Sequence, residues 1–240
     1  MLCVFGRGIE KVNGEWQPTQ YLERLSEKNG HSGFRTENLD ANSDDSRIVV
    51  AGAQLNVWAA ADHFREEFLY SGIKPKLVAF AAGRPNYIAN DPDPTLSEGK
   101  ILRESFLWEC PEADGSTEIV VQDKNKNTRD DLLETLFMAK ARGIENVTII
   151  SVLVHLARCH EFLKAAFVAE PELKGYNVQF LASEAILMQT RPSLVPQLSS
   201  FLISKTFCRT AERERKGIGD LLAGRYDFGT QGYAFAPAKD

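Results

Sequence analysis

Apolar positions along the chain follow two alternating periods. "RIVVAG" (47–52), "KLVAFAAG" (76–83), "EIVVQ" (118–122), "NVTIISVLV" (146–154) and "YNVQFLA" (176–182) are short, β-branched-rich runs and predict strands. The segments between them switch to helical spacing. Val57, Ala61, Phe64 and Phe68 share one face of "VWAAADHFREEFLYSG", which stops at Gly72. Leu132, Leu133, Leu136 and Phe137 form the stripe of a helix after the third run. "TLSEGKILRESFLWE" and "LARCHEFLKAAF" supply two more helices.

Strands that alternate with helices, several of them apolar throughout, predict a parallel sheet covered on both faces. The expected class is α/β: a doubly wound, mostly parallel, Rossmann-like α/β/α sandwich. Such sheets bind ligands outside the carboxyl ends of their strands. No G-x-G-x-x-G fingerprint is present. Gly6-Arg7-Gly8 follows the apolar run "LCVF", a candidate for one more strand.

Two regions fall outside this alternation. Ser26 to Ser46 is polar and aperiodic, so it reads as a long loop or a partly disordered one. After Ala185 the chain turns helical, with Leu194, Leu198, Phe201 and Leu202 at helical spacing, followed by the charged run "RTAERERKG". The expected division is a Rossmann-like domain over 1–190 and a helical C-terminal extension over 191–240 packed on it. The charged run reads as a solvated helix; the competing reading is a lid or dimer element beside the site.

Composition narrows the class. The chain has 240 residues, 43% hydrophobic and 25% charged, enough for one large α/β domain with its own core. A net charge of −5 and a pI near 5.5 argue against a nucleic-acid surface. Cys3, Cys110, Cys159 and Cys208 form no C-x-x-C pair and read as reduced thiols of a cytoplasmic protein. His31, His63, His155 and His160 include no i, i+4 pair, so no zinc site is predicted. No apolar run is long enough to span a membrane, and "MLCVFGRGIE" lacks the features of a signal peptide.

Candidate chemistry lies at the strand-to-helix turns. In "DKNKNTRDD", Thr128 is the expected N-cap, with Asp130 and Asp131 in the first turn. That accounts for neither Asn125 nor Asn127, which serve either turn geometry or a polar ligand. In "SVLVHLARCHEF", His155 and Arg158 fall at the positive end of a helix, against the dipole rule, and three apart, hence on one side. An anion held between them would make that arrangement favourable. The competing account pairs Arg158 with Glu161 and leaves His155 a neutral turn residue. "TLSE" reads as a capping box from Thr95 to Glu98; alternatively Glu98 hangs over the sheet edge and meets a ligand. Gly83 and Arg84 complete that edge.

These blocks, in this order, resemble the YdcF/SanA/ElyC family, a widespread bacterial group. "LSEG" matches its acidic motif through Glu98. "NKNTRDD" matches its S-x-N-T-x-E-N block through Asn127 and Thr128. "SVLVHLARC" matches its T-S-x-x-H-x-x-R-A block through His155 and Arg158. The blocks span roughly Lys76 to Phe167. Departures include Asn125 for serine, Asp130 and Asp131 for Glu and Asn, and Gly99 and Cys159 for alanines. The family's glycine-rich first strand maps either to "VFGRG", with "YLERL" as its following helix and "RIVVAG" in an insertion, or to "RIVVAG" itself. The resemblance implies a Rossmann-like domain with the matched residues lining one pocket. It also implies a link to S-adenosylmethionine in one branch of the family.

The leading expectation is therefore binding of a small anionic, nucleotide-like ligand, with S-adenosylmethionine one candidate. Gly6, Gly8, Gly83, Arg84, Glu98, Asn125, Asn127, Thr128, His155 and Arg158 are the ligand-binding set. The runner-up is a hydrolase or transferase acting on a phosphorylated or nucleotide-linked substrate, with His155 and Glu98 catalytic. A third reading is an interaction module with a vestigial pocket, forming a homodimer through 194–207.

Overall fold

The computed structural model describes residues 1–26, 30–31 and 38–225. In chain order the elements are β1 (Leu2–Phe5), β2 (Ile9–Val12), β3 (Glu15–Pro18), β4 (Leu22–Ser26), β5 (Gly30–His31) and β6 (Ile48–Val50). Then come α1 (Ala53–Ser71), β7 (Leu77–Ala81), α2 (Glu98–Glu109), β8 (Glu118–Gln122), α3 (Thr128–Ala141) and β9 (Asn146–Ser151). The chain continues through α4 (Leu153–Ala169), β10 (Asn177–Ala182), α5 (Ser183–Thr190), α6 (Val195–Leu202) and α7 (Lys205–Leu222).

The central sheet has five strands in the order β10-β9-β1-β7-β8, all parallel. Its innermost strands, β1 and β7, are buried at every residue, whereas the edge strands β8 and β10 are half-exposed. The period of two divides β1 between two cores. Leu2 and Val4 join the core under α1 and α2, while Cys3 and Phe5 join Leu132 of α3 and Phe162 of α4 on the opposite face. This is a Rossmann-like α/β fold with helices on both faces. Val57, Ala61 and Phe64 are buried as the helical spacing predicts. Phe68 lies outside the described side chains.

The order of the strands decides where a ligand can enter. From β1 the chain moves outward through β7 to β8, then returns to the other side of β1 for β9 and β10. Connections above β1 and β9 therefore diverge and leave a crevice at their carboxyl ends.

Residues between β1 and α1 depart from the expected alternation. "RIVVAG" does not enter the parallel sheet. Its strand β6 pairs antiparallel with β4, Leu22 opposite Val50. Leu2–Phe5 is the central strand, which makes "RIVVAG" part of an insertion. The segment expected as a helix, "YLERL", is instead the strand β4, because a partner strand stands beside it. β2 and β3 form a hairpin turned by Asn13 and Gly14, both at positive φ (52° and 89°), the two-residue turn that Asn-Gly favours. Of the 26–46 loop, 27–29 and 32–37 lie outside the described residues; the rest includes the end of β4, β5 and a turn-rich approach to β6.

The C-terminal extension packs on the domain. Leu198 is buried, and Leu194, Phe201 and Phe207 pack against the chain's own core. The run expected as a solvated helix is α7, and one face of it is buried: Thr206, Thr210, Glu214 and Gly217 recur every three or four residues against α4 and β6. The described part of the expected 191–240 extension ends at Arg225. Among the described residues, no helix is long and apolar enough to cross a membrane.

Candidate functional site

A cavity of about 440 Å³ opens at the carboxyl ends of β1, β7, β8 and β9. Gly6, Gly8, Gly83, Arg84, Glu98, Asn125, Asn127, Thr128, His155 and Arg158 all line it. Arg7, Asp131, Arg213 and Glu214 line it as well. A larger groove of about 1110 Å³ lies to one side, between the β2–β3 hairpin, α2 and α6, and contains Trp16, Trp58 and Trp108. The smaller cavity is the better candidate, because it sits at the divergence of β1 and β9 and buried polar groups converge on it.

Its floor is the turn after β1. A side chain at Gly6 would overlap Ala82 and the carboxylate of Glu98. Gly8 adopts φ +107°, a conformation open to glycine at low cost. Glu98 accepts a hydrogen bond from the Gly8 amide and so clamps this turn. The capping box expected from Thr95 to Glu98 does not form. Ser97 is the N-cap of α2, its Oγ accepting from the Lys100 amide at 3.3 Å, and Thr95 instead donates to Asp93 at 2.8 Å. Glu98 is then the first helical residue, and its carboxylate is directed to the loop. Gly99, where the resemblance expects alanine, has no room for one: a Cβ would lie 2.8 Å from the Ala82 carbonyl oxygen.

The wall above β7 and β8 is equally tight. A Cβ on Gly83 would overlap the carbonyl oxygen of Asn125. Arg84 spends its guanidinium on backbone carbonyls, including Asp93 at 2.7 Å and Ile88 at 2.8 Å, so it holds the 84–97 loop. The N-cap of α3 is Asn127 and not Thr128: Asn127 Oδ1 accepts from the Asp130 amide at 3.1 Å. Asn125 donates to Asp131 at 3.0 Å. Thr128, freed from capping, directs its hydroxyl to His155 Nε2 at 3.4 Å.

The third wall is the start of α4, whose Val152 N-cap has no side-chain cap of its own. Glu184 of α5 fills that role by accepting from the Leu153 amide at 2.8 Å. The anion expected between His155 and Arg158 is also supplied by the chain. Glu214 of α7 places Oε2 3.1 Å from His155 Nδ1 and 3.5 Å from Arg158 Nη1. Glu161, the alternative partner for Arg158, pairs with Lys164 at 2.7 Å instead. Arg158 also stacks over Phe162 and lies against Gly217, where a Cβ would come within 3.1 Å of its guanidinium carbon.

Arg7 completes the cluster. It donates to Glu214 Oε1 at 3.0 Å and to the Val50 carbonyl at 2.9 Å. The Val50 amide in turn donates to Thr210 of α7 at 3.0 Å. The insertion thus serves to seat both Arg7 and α7. Sequence reasoning missed Arg7 and Glu214, because both owe their place to segments distant in the chain.

Charge states follow from this packing. Burial alone would raise the Glu214 carboxyl, but His155, Arg7 and Arg158 outweigh it and hold Glu214 well below the usual range. Burial lowers the His155 imidazole below its ordinary value, opposed by Glu214 and reinforced by Arg7 and Arg158. His155 Nδ1 meets both Glu214 Oε2, which only accepts, at 3.1 Å and Arg7 Nη1, which only donates, at 3.2 Å; the tautomer with its proton on Nδ1 is the one that hydrogen-bonds the carboxylate. Nε2 is then an acceptor facing Thr128. Deeper in the cavity, desolvation pushes Asp131 well above the usual carboxylate range, with Glu98 adding to it. Among the described residues, no group of three His, Cys, Asp or Glu side chains is arranged to hold a metal ion.

The fold and this site define a Rossmann-like α/β protein with a polar cavity at its topological switch point. No family model matches the chain, and no match was found among curated proteins or solved structures.

Proposed function

We propose that the protein binds a small anionic, nucleotide-like ligand in the cavity at the carboxyl edge of its sheet. The observation that carries this reading is the convergence on one cavity of the glycine turn after β1 and the first turns of α3 and α4. Backbone amides at helix starts favour negative charge. Lys126, Arg158 and Arg213 line the same space. Because Glu214 already occupies the slot between His155 and Arg158, the ligand's anionic group belongs on the α3 side, near Lys126 and Thr128. A volume of about 440 Å³ suits a ligand of nucleotide size. S-adenosylmethionine, whose carboxylate would be the anionic group, is one candidate, in keeping with the resemblance to the YdcF-like family.

The test is a thermal-shift screen of wild type, Lys126→Ala and Arg158→Ala. The panel holds S-adenosylmethionine, nucleotides, nucleotide sugars and sugar phosphates. A ligand at about 100 times its dissociation constant stabilises by roughly 2.7 kcal/mol, a readily measured shift. A hit weakened more in Lys126→Ala than in Arg158→Ala supports the reading. A wild-type protein indifferent to every anion overturns it.

A further inference from the structure

The set of contacts around Thr128 goes beyond ligand binding. Glu214, His155 and Thr128 form one chain of contacts. The carboxylate Oε2 lies 3.1 Å from Nδ1, and Nε2 lies 3.4 Å from the threonine Oγ1. The three come from α7, α4 and α3, so no local turn requires their meeting. All three are buried yet line the cavity. Thr128 is not needed as a cap, because Asn127 does that work. Among the described residues, the side-chain partner of its hydroxyl is the imidazole. A carboxylate behind an imidazole behind a hydroxyl is the arrangement that activates an alcohol as a nucleophile, whatever the order of the residues in the chain.

We infer that Thr128, His155 and Glu214 form a proton relay in which the Thr128 hydroxyl attacks a phosphoester bound in the cavity. This rests on the ligand site proposed above and assigns it a reaction. In the first step the Oγ–P bond forms while the bond from phosphorus to the leaving oxygen breaks. The threonine proton passes to His155 Nε2 and from there to the leaving oxygen. In the second step water attacks the phosphothreonine, His155 takes a proton from that water, and the regenerated threonine oxygen takes it back. No electron is gained or lost overall, and water is the only co-reactant. Thr128 and His155 are the catalytic residues. Glu214 is a positioning residue that holds the imidazole with Nε2 toward the cavity.

The relay works with His155 neutral. The charged groups facing that ring are Glu214 on α7, Arg7 after β1 and Arg158 on its own helix; α3 presents uncharged Thr128, with Asp131 beyond it in the cavity wall. The buried ring favours the neutral form at neutral pH.

A fluorophosphonate reports on the first step without knowledge of the natural ligand. Thr128 Oγ attacks phosphorus, the P–F bond breaks, fluoride leaves, and the adduct is read by peptide mass spectrometry of the whole chain. The expected result is a single adduct on Thr128, retained in Thr128→Ser and absent in Thr128→Val. His155→Ala should slow labelling about a hundredfold or more. The wild-type rate should rise with pH to a plateau reached by neutrality. Glu214→Gln should lower that rate and move its midpoint to lower pH, because the carboxylate supports the protonated imidazole. No adduct on folded wild-type protein between pH 6 and 9, or adducts only elsewhere, overturns the relay. Labelling that fails while a ligand still shifts the melting temperature refutes the relay alone; labelling at Thr128 with no anion bound in the thermal-shift panel refutes the ligand class alone.

Discussion

Glu214 Oε2 lies 3.1 Å from His155 Nδ1, across 59 residues of sequence, and its other oxygen takes a hydrogen bond from Arg7 at 3.0 Å. One carboxylate thus neutralises a cluster drawn from the first turn after β1, the start of α4 and the middle of α7. Its removal should be among the most damaging single changes. Breaking a buried pair by deleting one partner costs about 3–5 kcal/mol, because the other charge is left uncompensated. Glu214→Ala should lose roughly that much in denaturant unfolding, and Glu214→Gln, which keeps the shape, should lose less.

The same carboxylate gives a pH signature. Its folded pKa is depressed, so its stabilising contribution is present above the unfolded value of 4.5 and is lost as pH falls through the folded value. The stability gap between wild type and Glu214→Gln should therefore narrow once pH falls below 4.5. A gap that stays constant down to the acid limit would mean that Glu214 is not held ionised by its neighbours.

Glu134 should show the opposite sign. Burial raises its pKa from 4.5 to about 7, with Asp123 adding and a hydrogen bond from Asn125 opposing. The folded chain holds that proton more firmly than the unfolded chain, so this contribution is full below 4.5 and is lost as pH rises through 7. Glu134→Gln should raise the melting temperature at pH 8 more than at pH 5. Paired melts at the two pH values check this.

Asn127 and Thr128 separate capping from chemistry. Loss of an N-cap side chain costs about 1 kcal/mol. Asn127→Ala should show that loss in thermal unfolding. Thr128→Val, which conserves shape and leaves the cap in place, should change stability less while removing the hydroxyl from the cavity. Equal losses would mean that Thr128 carries structure after all.

Gly83 tests the close approach of two loops. A methyl group there would overlap the backbone of Asn125, and backbone cannot swing aside as a flexible side chain can. Gly83→Ala should cost about 1–3 kcal/mol or more and disturb the cavity wall. Gly175→Ala, at a position with nothing within 4 Å, should fall within about 0.5 kcal/mol of wild type and serves as the control.

Local pattern alone was enough for the parallel sheet and its helices. Strands β7 to β10 and helices α1 to α4 announce themselves because burial on two faces demands apolar runs, and burial on one face demands helical spacing. The β2–β3 hairpin, by contrast, is not among the elements predicted above, although its Asn13–Gly14 dipeptide is a local turn signal. The positions at strand ends, from Gly6 through Glu98 to Arg158, were also readable, because the sheet directs all its carboxyl ends to one edge.

Only the tertiary structure decided what those positions do. Capping fell to Ser97 and Asn127 instead of Thr95 and Thr128, because a difference of one or two residues in where a helix starts is set by packing and not by propensity. "YLERL" became a strand because β6 stood ready to pair with it. Above all, the anion required by His155 and Arg158 came from Glu214, in a run whose charged residues look solvated. A buried stripe made of Thr206, Thr210, Glu214 and Gly217 carries no apolar period. Its burial follows from the partners that α4, β6 and Arg7 supply, and those partners meet it only once the chain has folded.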